Sequence, residues 1–197
     1  VKTILHLCAD RGSDSKYYQE HPDYKVICVG QKIGVENFHP PNEDIYGIIA
    51  NPPCTMFSIA RTTAKTPRDL NEGMRLVKEC LRIIWECQVR IKDEHQRESP
   101  LKFWCIENPG SGSLRWFLGK PRFEYCQSEY GQFFTKKTAL WGNFNEPYRP
   151  FMEPCINQSA TCLGGNYASS RKHKEKGFGG DGGWKAECPP PIRKVFF

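Results

Sequence analysis

The chain has 197 residues, 28 Lys and Arg against 22 Asp and Glu, a formal net charge of +6 and 10 cysteines. About 100–200 residues per domain is usual, so one domain with a sizeable core is expected. No apolar run reaches the ~18 residues of a membrane span and no charged-then-apolar leader opens the chain, so neither feature is expected. The positive charge permits a polyanionic partner without demanding one.

Thr3 to Cys8 reads as a first buried strand, followed by the polar loop Ala9 to Ser15 and a short helix from Lys16 to Glu20. Tyr24 to Val29 is a second strand and Ile45 to Ala50 a third. Asn51-Pro52-Pro53-Cys54 stops that third strand, because prolines cannot extend a ladder and bias the residue before them away from helix. Cys54 therefore sits on a stiff turn at a strand's carboxyl end, where open α/β sheets bind their ligands. Two readings stay open there, a nucleophile and a packing thiol.

A helix is expected over roughly Leu70 to Glu94, with Leu70, Met74, Val77, Leu81, Ile84, Gln88 and Ile91 on one stripe. Asp69 is its cap, and Glu72 is placed to complete a capping box. Lys102 to Ile106 is a further buried strand, ending at Glu107-Asn108-Pro109-Gly110. Burying a carboxylate there is costly unless it is used or paired, with a helix cap or a surface salt bridge as the plainer roles. Phe123 to Cys126 and Lys137 to Trp141 are two shorter strands. Past Asn143 the pattern gives way to Pro, Gly and charge, and the glycines between Lys172 and Lys185 read as a mobile loop.

Strands alternating with helices over the first 110 residues predict an α/β fold, a mostly parallel sheet with helices on both faces. Cys8, Cys28, Cys80, Cys87 and Cys105 lie in apolar runs, which favours buried, reduced thiols in a cytoplasmic protein over a disulfide framework. Cys155, Cys162, His173 and Cys188 contain no close Cys pair of the kind that marks zinc sites, so no metal is expected.

Taken in order, these motifs resemble the cytosine-5 DNA methyltransferase family, in particular its small phage-type members, over about two-thirds of the chain. Pro52-Pro53-Cys54-Thr55-Met56-Phe57-Ser58 is similar to the family's Pro-Pro-Cys-x-x-Phe-Ser loop, and Ile106-Glu107-Asn108-Pro109 to its Glu-Asn-Val segment. Leu7-Cys8-Ala9-Asp10-Arg11-Gly12-Ser13 looks like a degenerate Phe-Ser-Gly-x-Gly cofactor loop. Tyr130-Gly131 with Lys136-Lys137-Thr138-Ala139-Leu140-Trp141 resembles the basic strand that helps hold the target base, and Pro189 to Phe197 is weakly like the C-terminal return helix.

The resemblance implies a Rossmann-like, class I S-adenosylmethionine-dependent fold. Its catalytic domain would span 1–142, an irregular segment at 143–188 would stand in place of a target recognition domain, and 189–197 would return to the catalytic domain. It implies that Cys54 adds to cytosine C6, that Glu107 bonds the N3 and amino edge, and that Lys136 assists as the first basic residue of its strand. Cys8, Ala9, Asp10, Gly12, Ser13, Gly30, Asn51 and Pro52 would line the S-adenosylmethionine site, and Ser58, Arg61, Asn108, Lys137 and Thr138 the substrate. A target base in duplex DNA would be flipped out to reach the thiol. Arg61, Lys65 and Arg68 are candidate phosphate contacts.

Gly30 stands where the family carries a ribose-binding acid, and the segment Gly34 to Phe38 aligns no acid at the adenine-binding position. The expected partner is DNA, duplex or single-stranded, in the cytoplasm of a bacterial or phage-infected cell. RNA or a free nucleotide is the alternative substrate. Asn51-Pro52-Pro53 also begins the loop of the amino-methyltransferases, although Cys54 stands where their aromatic residue belongs. The reading from another class is a non-catalytic nucleic-acid-binding protein that kept the fold and lost the cofactor.

Overall fold

The computed structural model describes residues 1–9, 11–89, 99–130 and 136–149. Six strands form one sheet: β1 (Lys2–Leu7), β2 (Tyr24–Val29), β3 (Ile45–Ala50), β4 (Phe103–Pro109), β5 (Phe123–Cys126) and β6 (Lys137–Asn143), in the spatial order β2-β1-β3-β4-β6-β5. The first four are mutually parallel, while β6 runs antiparallel to both β4 and β5. The sheet is therefore mixed, with one reversed strand.

Chain order reverses direction across the sheet between β1 and β3. From β1 the chain moves outward through α1 (Lys16–Glu20) to β2, and from β3 it moves the other way through α2 (Leu70–Gln88) to β4. Crossovers of the usual right hand that lead in opposite directions place their helices on opposite faces. Accordingly, Tyr18 of α1 packs with Ile4, Ile49, Phe103 and Cys105 on one face. Val77, Cys80, Ile83, Ile84 and Cys87 of α2 pack with Leu5, Leu7, Ile48 and Ile106 on the other. Each buried Ile or Leu in these layers contributes about 1.5–3 kcal/mol.

The helix differs from expectation in three respects. Its buried stripe runs through Cys80 and Cys87, leaving Leu81 half-buried at the flank. Its last helical residue is Gln88, and the expected extension to Glu94 lies mostly outside the described residues. Asp69 accepts from the Glu72 amide at 2.9 Å, but both Glu72 carboxylate oxygens take bonds from Arg75, so the box is only half built.

β4 continues through Glu107, Asn108 and Pro109, because β6 pairs with these residues opposite Leu140, Ala139 and Thr138. Cys28, expected to be buried, is exposed because β2 is the sheet's edge strand. Between Gly30 and Asp44 the chain forms turns rather than a strand, tied to α2 by Arg82 donating to the Val35 and Phe38 carbonyls. No helix among the described residues is long and apolar enough to cross a membrane. Nearly all of the 143–188 segment and all of 189–197 lie outside the described residues.

Candidate active site

A reversal of chain direction leaves a crevice at the carboxyl ends of the two strands that flank it, here β1 and β3. The amide of Asn51 makes the last ladder bond of β3, to the Leu7 carbonyl at 3.0 Å. Pro52 then has no N–H with which to continue, and the chain leaves the sheet. Cys8 follows β1 with φ of 57°, a left-handed conformation costing a non-glycine residue about 1–2 kcal/mol. It turns the chain into the loop that borders the same crevice.

The Pro-Pro-Cys loop is held from several sides. Asn108, fully buried, donates its Nδ2 to the Pro52 carbonyl at 2.9 Å. The Cys54 carbonyl accepts from the amides of Phe57 and Ser58 at 2.9 and 2.8 Å, which closes the turn on the thiol residue. Phe57 is sunk in the core, its ring 6.1 Å from Phe117 of α3 (Arg115–Leu118), and its carbonyl takes the Ser113 amide at 3.0 Å. Arg68 donates to the carbonyls of Met56 and Ser58, both at 2.9 Å.

Against this loop α2 carries Gly73, where a Cβ would lie 2.8 Å from Met56 Cβ and 3.0 Å from Phe57 Cζ. Gly73→Ala gains up to ~1 kcal/mol of helix propensity, offset by overpacking that costs about 1–3 kcal/mol. A net loss near 1 kcal/mol is expected in urea unfolding, and a gain overturns this account of the contact.

Side chains from four parts of the chain meet at the crevice. The Glu107 carboxylate receives Lys136 Nζ at 3.5 Å through Oε1 and Asn51 Nδ2 at 3.4 Å through Oε2. Asn51 Nδ2 also lies 2.6 Å from Asp14 Oδ2. Burial pushes the half-buried Cys54 thiol above its ordinary range and the Glu107 charge pushes it further, while Lys136 and the residue's own backbone amide pull it down. Lys136 is itself held charged, chiefly by Glu107 with smaller contributions from Cys54 and Asp14, against the opposing effect of burial. The resting thiol is therefore protonated, with an anion and a cation within electrostatic reach.

His6, inside β1, completes the cluster. Its Nδ1 lies 2.8 Å from Ser15 Oγ and its Nε2 2.8 Å from Asn51 Oδ1. Burial drives its pKa down to about 4, so it is neutral at physiological pH. The signal in the sequence is a lone imidazole within an apolar strand.

The other candidate residues divide by position. Asn51 is at the centre of the cluster, in contact with His6, Asp14 and Glu107. Gly12, at φ 65°, takes Gln19 Nε2 onto its carbonyl at 3.0 Å, with Ser15 Oγ 3.2 Å from the same oxygen, and Ser13 donates to Asp14 at 3.2 Å. Ala9 is buried, its amide bonded to Val29, while the Cys8 thiol meets Cys80 of α2 at 3.9 Å. The Gly30 carbonyl is turned into a tight turn with Ile33 and Gly34. Asp10 lies outside the described residues.

Among the substrate candidates, Ser58 caps the short turn Ile59–Thr63 by accepting from the Ala60 amide. Arg61 donates to Thr66 and Pro67. Thr138 is fully buried on the same side of β6 as Lys136, with its hydroxyl unpartnered. Lys137 points to the opposite side and meets Glu124 at 3.8 Å.

A separate cavity of about 410 Å³, lined by Leu81, Trp104, Trp141, Lys120 and Arg122 among others, contains none of the crevice groups. No group of three or more metal-ligating side chains occurs among the described residues, and Cys155, Cys162, His173 and Cys188 lie outside them. No protein-family model matches this chain, and no curated protein matches it either.

Proposed function

We propose that the chain is a DNA cytosine-C5 methyltransferase of Rossmann-like class I architecture, with Cys54 as nucleophile. The observation that carries this reading is the Glu107–Lys136 pair, 3.5 Å apart and within electrostatic reach of Cys54, at the carboxyl ends of β3 and β4 beside the point where chain order reverses. A thiol, a carboxyl group and an ammonium suit addition to a pyrimidine ring: an attacking group, a group that accepts from the exocyclic amine and donates a proton to N3, and a fixed positive charge.

The donor set fits S-adenosylmethionine in part. Gly30 offers no side chain and its carbonyl is occupied, so the loop from Ala9 to Ser15, with the Asp14 carboxylate, would hold the nucleoside end. When bound, that group supplies an electrophilic methyl. The protein's part is to form the Cys54 Sγ–C6 bond while the thiol proton passes by way of the Glu107 carboxyl group to N3, which shifts the C5–C6 electron pair into a C4–C5 enamine. Glu107 holds the base edge as charge develops, and Lys136 favours the thiolate over the thiol. After methylation the C5 proton passes to solvent, its electron pair re-forms the C5–C6 double bond as the Sγ–C6 bond breaks, and N3 returns its proton through Glu107 to the departing thiolate.

The test is incubation with labelled S-adenosylmethionine and separated pools of DNA, RNA and nucleotides, followed by digestion and identification of the product base. Label in 5-methylcytosine from DNA is expected. Methyl on an exocyclic nitrogen points to an amino-methyltransferase, label confined to RNA or nucleotides overturns the DNA assignment, and failure to bind the donor in calorimetry favours the non-catalytic nucleic-acid-binding reading.

A further inference from the structure

Asn51 can face the site in one way only. Its Nδ2 lies toward two carboxylates, Asp14 at 2.6 Å and Glu107 at 3.4 Å. Exchanging amide N and O would set an oxygen against both acceptors. The oxygen must therefore face His6, so Nε2 carries the imidazole proton and donates at 2.8 Å. Nδ1 is then the acceptor and takes the Ser15 hydroxyl, itself held by Gln19 Nε2 at 2.8 Å. Donation thus runs in a fixed sense from Ser15 through His6 and Asn51 to the carboxylates.

We propose that Asn51 is a positioning residue which, oriented by His6, holds Glu107 between itself and Lys136 so that the ammonium stays available to the Cys54 thiol. The charged and titratable groups facing Glu107 come from every side of the crevice: His6 through Asn51, Asp14, Cys54, Cys105 and Lys136. With Asn51's donor removed, Glu107 turns fully onto Lys136 and cancels the positive charge that pulls the thiol down. The proposal concerns the site of the proposed reaction, but its test reads the thiol rather than methyl transfer, so the two can fail separately.

The experiment is the pH profile of Cys54 alkylation by iodoacetamide in the full chain, followed by mass spectrometry of the Cys54 peptide. Asn51→Ala is expected to slow alkylation at pH 8 by roughly 3- to 10-fold and move the profile to higher pH. In a Glu107→Gln background the same substitution is expected to change little. His6→Leu is expected to reproduce the slowing, and His6→Gln, which places an N–H near the site of Nε2, to recover most of it. Should Asn51→Ala fail to fold, Asn51→Asp keeps the shape, still accepts from His6 and cannot donate to Glu107, so it must also slow alkylation. Equal effects of Asn51→Ala with and without Glu107, or no effect of either Asn51 variant, overturn the proposal.

Discussion

Cys54→Ala is expected to lower methyl transfer by roughly four orders of magnitude or more, the scale reached when an enzyme loses its covalent nucleophile. The reason is specific to the reaction. Cytosine C5 is a poor nucleophile until a group adds at C6, and in the proposed reaction that group is the Cys54 thiol. The loop itself should survive the substitution, because it is fastened by Phe57, Asn108 and Arg68 rather than by the sulfur. Melting close to that of the parent is therefore expected together with lost activity. DNA carrying 5-fluorocytosine gives the second readout: fluorine at C5 cannot leave as a proton does, elimination stalls, and a covalent adduct accumulates on the parent protein but not on Cys54→Ala. Full transfer to C5 by the alanine variant overturns the covalent mechanism.

The parts of this arrangement that rest on local pattern could be read from the chain. Ile45 to Ala50 is an apolar run broken by two prolines, and the structure gives it the same limits. The Asp69 cap follows equally from residue type. What could not be read locally depends on register. The insertion of β6 between β4 and β5 is a pairing choice that neither strand's composition encodes, yet it carries β4 through Glu107 and brings Lys136 beside it. His6, Asp14, Asn51, Glu107 and Lys136 are scattered over most of the described chain, and only the order of strands in the sheet brings them together. Asn108 illustrates the same limit. Its full burial and its bond to the Pro52 carbonyl, which fasten the Pro-Pro-Cys loop, follow from tertiary packing and not from its own segment.

Glu107→Gln separates the chemistry of the site from the reactivity of its thiol, because the two should move in opposite directions. The carboxylate charge is the second-largest cause, after burial, of the raised Cys54 thiol. Neutralising it stabilises the thiolate, so the alkylation profile is expected to shift to lower pH and alkylation at neutral pH to quicken. The sign follows from the charge: a thiol whose acid form is favoured by a neighbouring anion ionises more readily once that anion is gone. Lys136 also loses the partner that chiefly holds it charged, but its ammonium, freed from pairing, still favours the thiolate. Methyl transfer is expected to fall despite the more reactive sulfur, by about 10²- to 10⁴-fold, because an amide cannot carry the proton or the charge that the N3 edge develops as C6 is attacked. A passive carboxylate, present only to balance Lys136, predicts instead that transfer follows the thiol and rises. Measuring both rates on the same preparation decides between a group that acts on the base and one that merely neutralises its neighbour.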